Sequence, residues 1–113
     1  MCQEAGNMKY RIEFGFGVGE DAYGDPVEPA RLVTALGIIR KTAADLFEGY
    51  TMHPTTGGWV NNAGRLVEEP GFTLFVVSDW NDAEVWKMVD TIKTELNQQA
   101  VAVTATQVIF DIL

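Results

Sequence analysis

A single cysteine, Cys2, stands in the 113 residues, so no disulfide can form within a subunit and a zinc site of several thiolates is excluded. Histidine is as scarce. His53 is the only one, and a general acid or base working near neutral pH falls most naturally to it. Basic residues are few: 8 Lys and Arg against 16 Asp and Glu leave a formal charge of −8. That excess repels nucleic-acid phosphates, so no nucleic-acid partner is expected. No apolar run approaches the ~20 residues of a membrane span, and no membrane partner is expected either. Residues 1–7 lack the basic start and apolar run of a secretory signal, so the expected location is the cytoplasm. Residues 1–8 read as a flexible leader and 9–113 as one domain, long enough for a core without disulfides or a structural metal.

Six segments are present instead, in the order strand, helix, strand, strand, helix, strand. From Lys9 to Val18 the chain alternates, with Tyr10, Ile12, Phe14 and Phe16 on one face and Arg11, Glu13, Gly15 and Gly17 on the other. A helix is predicted from Asp25 as N-cap, with Glu28 three residues on and Pro26 at the first helical position. Its stripe is Leu32, Leu36, Ile39, Ala43 and Leu46, with Gly37 expected to pack closely on the sheet and Gly49 to cap the end. The second strand is predicted at Tyr50 to His53, interrupted by Pro54 to Gly58 and resumed at Trp59 and Val60. A turn at Asn61 to Gly64 returns the chain, and Glu68 to Gly71 reads as a bulge or kink. Phe72 to Val77 is apolar on both faces, as in a central strand. The second helix opens on Asn81 with Glu84 and carries Val85, Met88, Ile92 and Leu96, with Val89 beside them; Trp86 is expected at the core edge. Asn97, Gln98 and Gln99 close it, and the last strand runs from Ala100 to Leu113. The pattern predicts an α+β, ferredoxin-like βαββαβ sandwich: a four-stranded antiparallel sheet with two helices on one face.

Helices on one face leave the other bare. Whichever set of the third strand looks outward, it exposes large apolar groups, and a soluble chain conceals such a patch. A homo-oligomer, dimer or higher, is the expected solution. Gly15 and Gly17 would then make room for a neighbour or a small ligand. Trp59, beside Gly57 and Gly58, is the aromatic best placed for a pocket wall or interface anchor. The candidate ligand or interface set is Gly15, Gly17, His53, Trp59 and Phe75. Gly15 to Gly19 spells G-x-G-x-G inside a strand, which fails both context tests for a dinucleotide fingerprint. Glu20, Asp21 and Asp25 lack calcium-loop spacing, so neither metal nor cofactor is expected.

The chain also resembles a family of small bacterial α+β proteins of unknown function. The resemblance rests on Glu13, Phe14 and Gly15 early, then Gly49, Tyr50 and Thr51, Gly58 and Trp59 on the hairpin, Glu68, and Asn97 to Val101 at the close. It spans most of 9–110. It implies the same α+β fold and a family largely exported or lipid-anchored, and it supplies no catalytic residue.

Three functions fit these residues. The leading one is a non-catalytic oligomeric domain that binds a small molecule or protein through the open sheet face or the Trp59 hairpin. The second is a cofactor-independent enzyme resembling dimeric α+β-barrel monooxygenases or isomerases, with His53 as base and Arg11 or Glu13 as partner. The third is an acidic inhibitor or adaptor of a basic nucleic-acid-binding protein, which needs Glu20, Asp21, Asp25, Glu68, Glu69 and Asp79 in a row.

Overall fold

The computed structural model describes residues 8–109; the expected leader up to residue 7 and the expected end of the last strand lie outside them. The elements are β1 (Met8–Gly17), α1 (Pro29–Phe47), β2 (Thr51–Val60), β3 (Leu66–Ser78), α2 (Asp82–Leu96) and β4 (Ala102–Ile109). They form the ferredoxin-like sandwich, its sheet antiparallel throughout in the order β2-β3-β1-β4.

The alternation of β1 sets the layers. Ile12, Phe14 and Phe16 are buried with Leu74 and Val76 of β3. Ala35, Leu36, Ile39, Ala43 and Phe47 of α1, and Val85, Met88, Val89, Ile92 and Leu96 of α2, close over them. Leu32, Leu46, Met52 and Phe72 pack at the margin of this core. At about 25 cal/mol per Å² of apolar surface, burying each such side chain favours folding by about 1.5–3 kcal/mol. The helices cover mainly β1 and β3, and the edge strand β4 is exposed over almost its whole length.

Local details depart from expectation for physical reasons. Helix α1 starts at Pro29, because a residue before proline is driven from helical geometry and Glu28 is extended at φ −68°, ψ 142°. Asp25 is therefore no cap, and no side-chain hydrogen bond closes that end. The left-handed residue after α1 is Glu48 (φ 69°), one position before Gly49. A Cβ on Gly37 would meet nothing within 4 Å, so that glycine faces open space and not the sheet. Trp86 is 62% exposed and does not pack at the core edge. Asn81 caps α2 as expected, accepting the Glu84 N–H at 3.1 Å, and Asn97 ends it in the left-handed region.

The largest departure is the hairpin. Strands β2 and β3 pair without interruption from Thr51↔Phe75 to Val60↔Leu66, with neither break nor bulge. Pro54 is tolerated because β2 is an edge strand, which bonds a neighbour on one side only. Asn61 makes the turn as expected: its side-chain oxygen accepts the Ala63 and Arg65 N–H groups at 2.9 and 3.0 Å, and Gly64 takes φ 77°. Pairing of β3 with β1 begins at Gly71 and the Val18 N–H still donates to the Pro70 carbonyl at 2.9 Å, so the hairpin from Leu66 to Glu68 is a two-stranded ribbon that projects past the sheet.

Candidate functional site

The register decides the open face. Gly17↔Gly71, Gly15↔Thr73, Glu13↔Phe75 and Arg11↔Val77 join β1 to β3. Across β3, Gly57↔Glu69, Thr55↔Gly71, His53↔Thr73 and Thr51↔Phe75 join it to β2. Side chains alternate along strands, so Gly15, Gly17, His53, Trp59 and Phe75 all belong to the face that the helices leave bare. That face holds two separate groupings.

In the middle of the sheet, the Arg11 guanidinium lies over the Phe75 ring, 3.7 Å from its centroid, and its Nε stands 3.6 Å from a Glu13 carboxylate oxygen. His53 meets the same ring edge-on, centroids 6.5 Å apart. Hairpin pairing sets His53 opposite Thr73 and Pro54 opposite Phe72. His53 is exposed, and among the described residues its side chain interacts only with Phe75. Among the described residues no carboxylate orients it as a general base requires.

At the ribbon end lies a cleft of about 890 Å³ that opens to solvent. Gly15, Gly17, Gly57 and Gly71 form much of its floor and Trp59, 52% exposed, its outer wall. One glycine there, Gly71, is sterically required because backbone stands in the way, whereas at Gly17 the obstacle is the movable end of a side chain. A Cβ on Gly71 would stand 2.5 Å from the Phe16 carbonyl oxygen, and one on Gly17 would stand 2.5–3.0 Å from the Glu69 carboxylate.

The opposite wall is the loop after β1, stapled to the segment after α2. Ala22 N–H donates to the Asn97 carbonyl at 2.7 Å, and the Gln98 side-chain amide donates to the Glu20 carbonyl at 2.7 Å. Asp21 organises the loop: one carboxylate oxygen accepts the Tyr23 and Asp25 N–H groups at 2.9 and 3.0 Å. These two backbone bonds, with a smaller contribution from Asn97 and Arg31, hold its carboxyl below the ordinary 3.8.

Of the expected set, then, the structure brings Gly15, Gly17 and Trp59 to the cleft and leaves His53 and Phe75 apart at mid-sheet. Glu69 is a cleft residue that sequence reasoning did not single out for the site. It is half-buried on the cleft floor, its side chain lying against Gly17 and Gly19. The acids do not form a row. Glu20, Asp21 and Glu69 line the cleft, Glu68 alternates to the other side of the ribbon, and Asp79 pairs with Lys9 at 3.3 Å beyond the far end of β3. Among the described residues no group of three or more His, Cys, Asp or Glu could hold a metal ion, and no helix is long and apolar enough to cross a membrane.

Likeness to known proteins is remote. No protein-family model and no curated protein matches the chain. Among solved structures, a phage SAM lyase in complex with S-methyl-5'-thioadenosine is similar, with a TM-score of 0.60, 12% identity and 90% of each chain covered. The periplasmic divalent cation tolerance protein CutA from Archaeoglobus fulgidus has a TM-score of 0.56 and 8% identity over 93% of this chain and 87% of that one. CutA1 from Pyrococcus horikoshii has a TM-score of 0.51 and 10% identity, covering 88% and 82%. At such identities the likeness defines the fold class alone: a small α+β, ferredoxin-like domain.

Proposed function

We propose that this chain is a non-catalytic, homo-oligomeric binding domain that takes a small molecule in the cleft beside Trp59. One observation carries the reading: the face without helices bears both a half-buried apolar centre, Phe75 and Val77, and a ligand-sized cleft with a glycine floor and an aromatic wall. Further copies of the chain are the proposed cover for the apolar centre and for the ribbon, where Trp59, Val60 and Leu66 are all more than half exposed. An isolated two-stranded ribbon is marginal in water, so a neighbour packed on it would also stabilise it.

The enzymatic alternative with His53, Arg11 and Glu13 lacks geometric support, since Arg11 is engaged with Phe75 and Glu13 and among the described residues the imidazole has no carboxylate partner. The acidic-adaptor alternative lacks its row of charges. The test is a fragment screen followed through backbone amide resonances and the Trp59 indole N–H. Hits that shift Trp59, Gly17 and Gly57 together support the reading. Hits that gather around His53, or an absence of any cleft response at millimolar fragment, overturn it.

A further inference from the structure

We propose that β4 is a pairing edge: two copies of this chain join their β4 strands antiparallel about a two-fold axis at Thr106, making one continuous eight-stranded sheet. This contact goes beyond the assembly proposed for the open face and the ribbon. It uses a different surface and stands or falls separately.

Two hydrogen bonds at the strand ends fix which way every strand's backbone points. In an antiparallel pair, residues that exchange backbone bonds alternate with residues that do not. The Asn61 N–H donates to the Arg65 carbonyl at 2.9 Å, continuing the β2–β3 register, so the odd-numbered residues of these two strands bond each other. The Val18 N–H donates to the Pro70 carbonyl at 2.9 Å, continuing the β1–β3 register, so there the even-numbered residues bond. The odd residues of β1 therefore turn to β4, where Gly15, Glu13 and Arg11 meet Ala102, Thr104 and Thr106. Val103, Ala105 and Ile109 then aim backbone N–H and C=O groups outward, and among the described residues no strand pairs on that side.

The two edges of the sheet are treated differently. On β2 the same alternation puts Pro54 among the outward residues, where it removes a donor and blunts the edge. Strand β4 has no such guard. Ala102–Ile109 holds neither proline nor charge and pairs with β1 without a bulge. It is exposed on both faces, and on the helix side Val103 and Ile109 are 40% and 80% exposed. A long, uncharged, open edge of this kind is a template for another strand.

The strand that fits is β4 itself. With Thr106 opposite Thr106 of the partner subunit, the outward residues of both copies come into bonding phase. Val103 then lies opposite Ile109 of the partner subunit, twice over by symmetry, so the large apolar side chains left exposed on β4 cover each other. A chain at −8 repels its own copies, and β4 offers them an approach free of charged side chains.

The test uses the full chain. In a free edge strand the outward Val103 and Ala105 amides exchange with solvent at once, while those of Thr104 and Thr106, bonded to β1, exchange slowly. The pairing should slow Val103 and Ala105 at least about tenfold. Thr106→Cys and Thr104→Cys, each combined with Cys2→Ser, locate the axis. Across it the two copies of position 106 stand about 4.5 Å apart at Cα, within disulfide reach, and those of position 104 roughly 14 Å. Oxidation should link the Thr106→Cys chain into dimers at least about tenfold faster than the Thr104→Cys chain. Fast exchange at Val103 and Ala105 overturns the proposal; a multimer by light scattering would then leave the open-face contact standing, and a monomer would remove both. Slow exchange with equal linking of the two variants, or with no linking of Thr106→Cys, gives the edge to another extended segment, such as a neighbour's ribbon, and overturns the two-fold pairing.

Discussion

Two glycine-to-alanine substitutions should move stability in opposite directions, and the geometry says by how much. Gly71 is buried where β3 crosses β1, and an added Cβ would stand 2.5 Å from the Phe16 carbonyl oxygen and 3.4 Å from Gly17 Cα. Ordinary contact begins at 3.4 Å, so the methyl group overlaps the oxygen by most of an ångström. The obstacle is backbone in the central pair of strands, which has no rotamer to turn aside. Overpacking of this kind costs about 1–3 kcal/mol. The entropy gained by replacing glycine returns only about 0.5–1 kcal/mol. Gly71→Ala should thus lose about 1–2 kcal/mol, and a domain of this size should melt roughly 5 °C lower or more. Gly37, inside α1 with nothing within 4 Å of its Cβ position, meets no such penalty. Gly37→Ala should gain about 1 kcal/mol from helix propensity alone and melt a few degrees higher, on the order of 4 °C. Thermal and urea denaturation followed by circular dichroism read both variants against the parent. A Gly71→Ala protein as stable as the parent, or a Gly37→Ala protein less stable, would refute the strand register and the helix placement respectively.

Glu48 holds a left-handed conformation, φ 69°, that costs a side-chain-bearing residue about 1–2 kcal/mol; Glu48→Gly should raise the urea midpoint, and a lowered one would contradict this helix end. Asp21 titrates below 3.8 because two backbone N–H groups bind its ionised form. The unfolded chain therefore takes up that proton first, so the stabilisation is complete above pH 3.8 and is lost as pH falls through the folded value. Asp21→Asn should flatten the acid limb of stability against pH, and an unchanged limb would show that the loop does not draw on that charge.

The layers of the fold were legible because β1 alternates strictly and both helices carry stripes at three- and four-residue spacing. The hairpin was less legible. Pro54, Gly57 and Gly58 weaken strand propensity, yet an edge strand asks for hydrogen bonds on one side only, and continuous pairing with β3 overrides the local signal. The start of α1 was misread for a related reason: Asp25 and Glu28 have the spacing of a capping box, but Pro29 forbids helical geometry at Glu28. At the candidate site, Gly15, Gly17 and Trp59 could be singled out by type. Glu69 could not, because only the register shows which of two adjacent glutamates turns toward the glycines of β1.

The central claim is that further copies of this chain conceal the bare sheet face and the projecting ribbon. Light scattering coupled to size exclusion at micromolar concentration tests it most directly. The account predicts a mass at a whole multiple, two or more, of the 12.5 kDa subunit. A mass of 12.5 kDa that persists as concentration rises would contradict it.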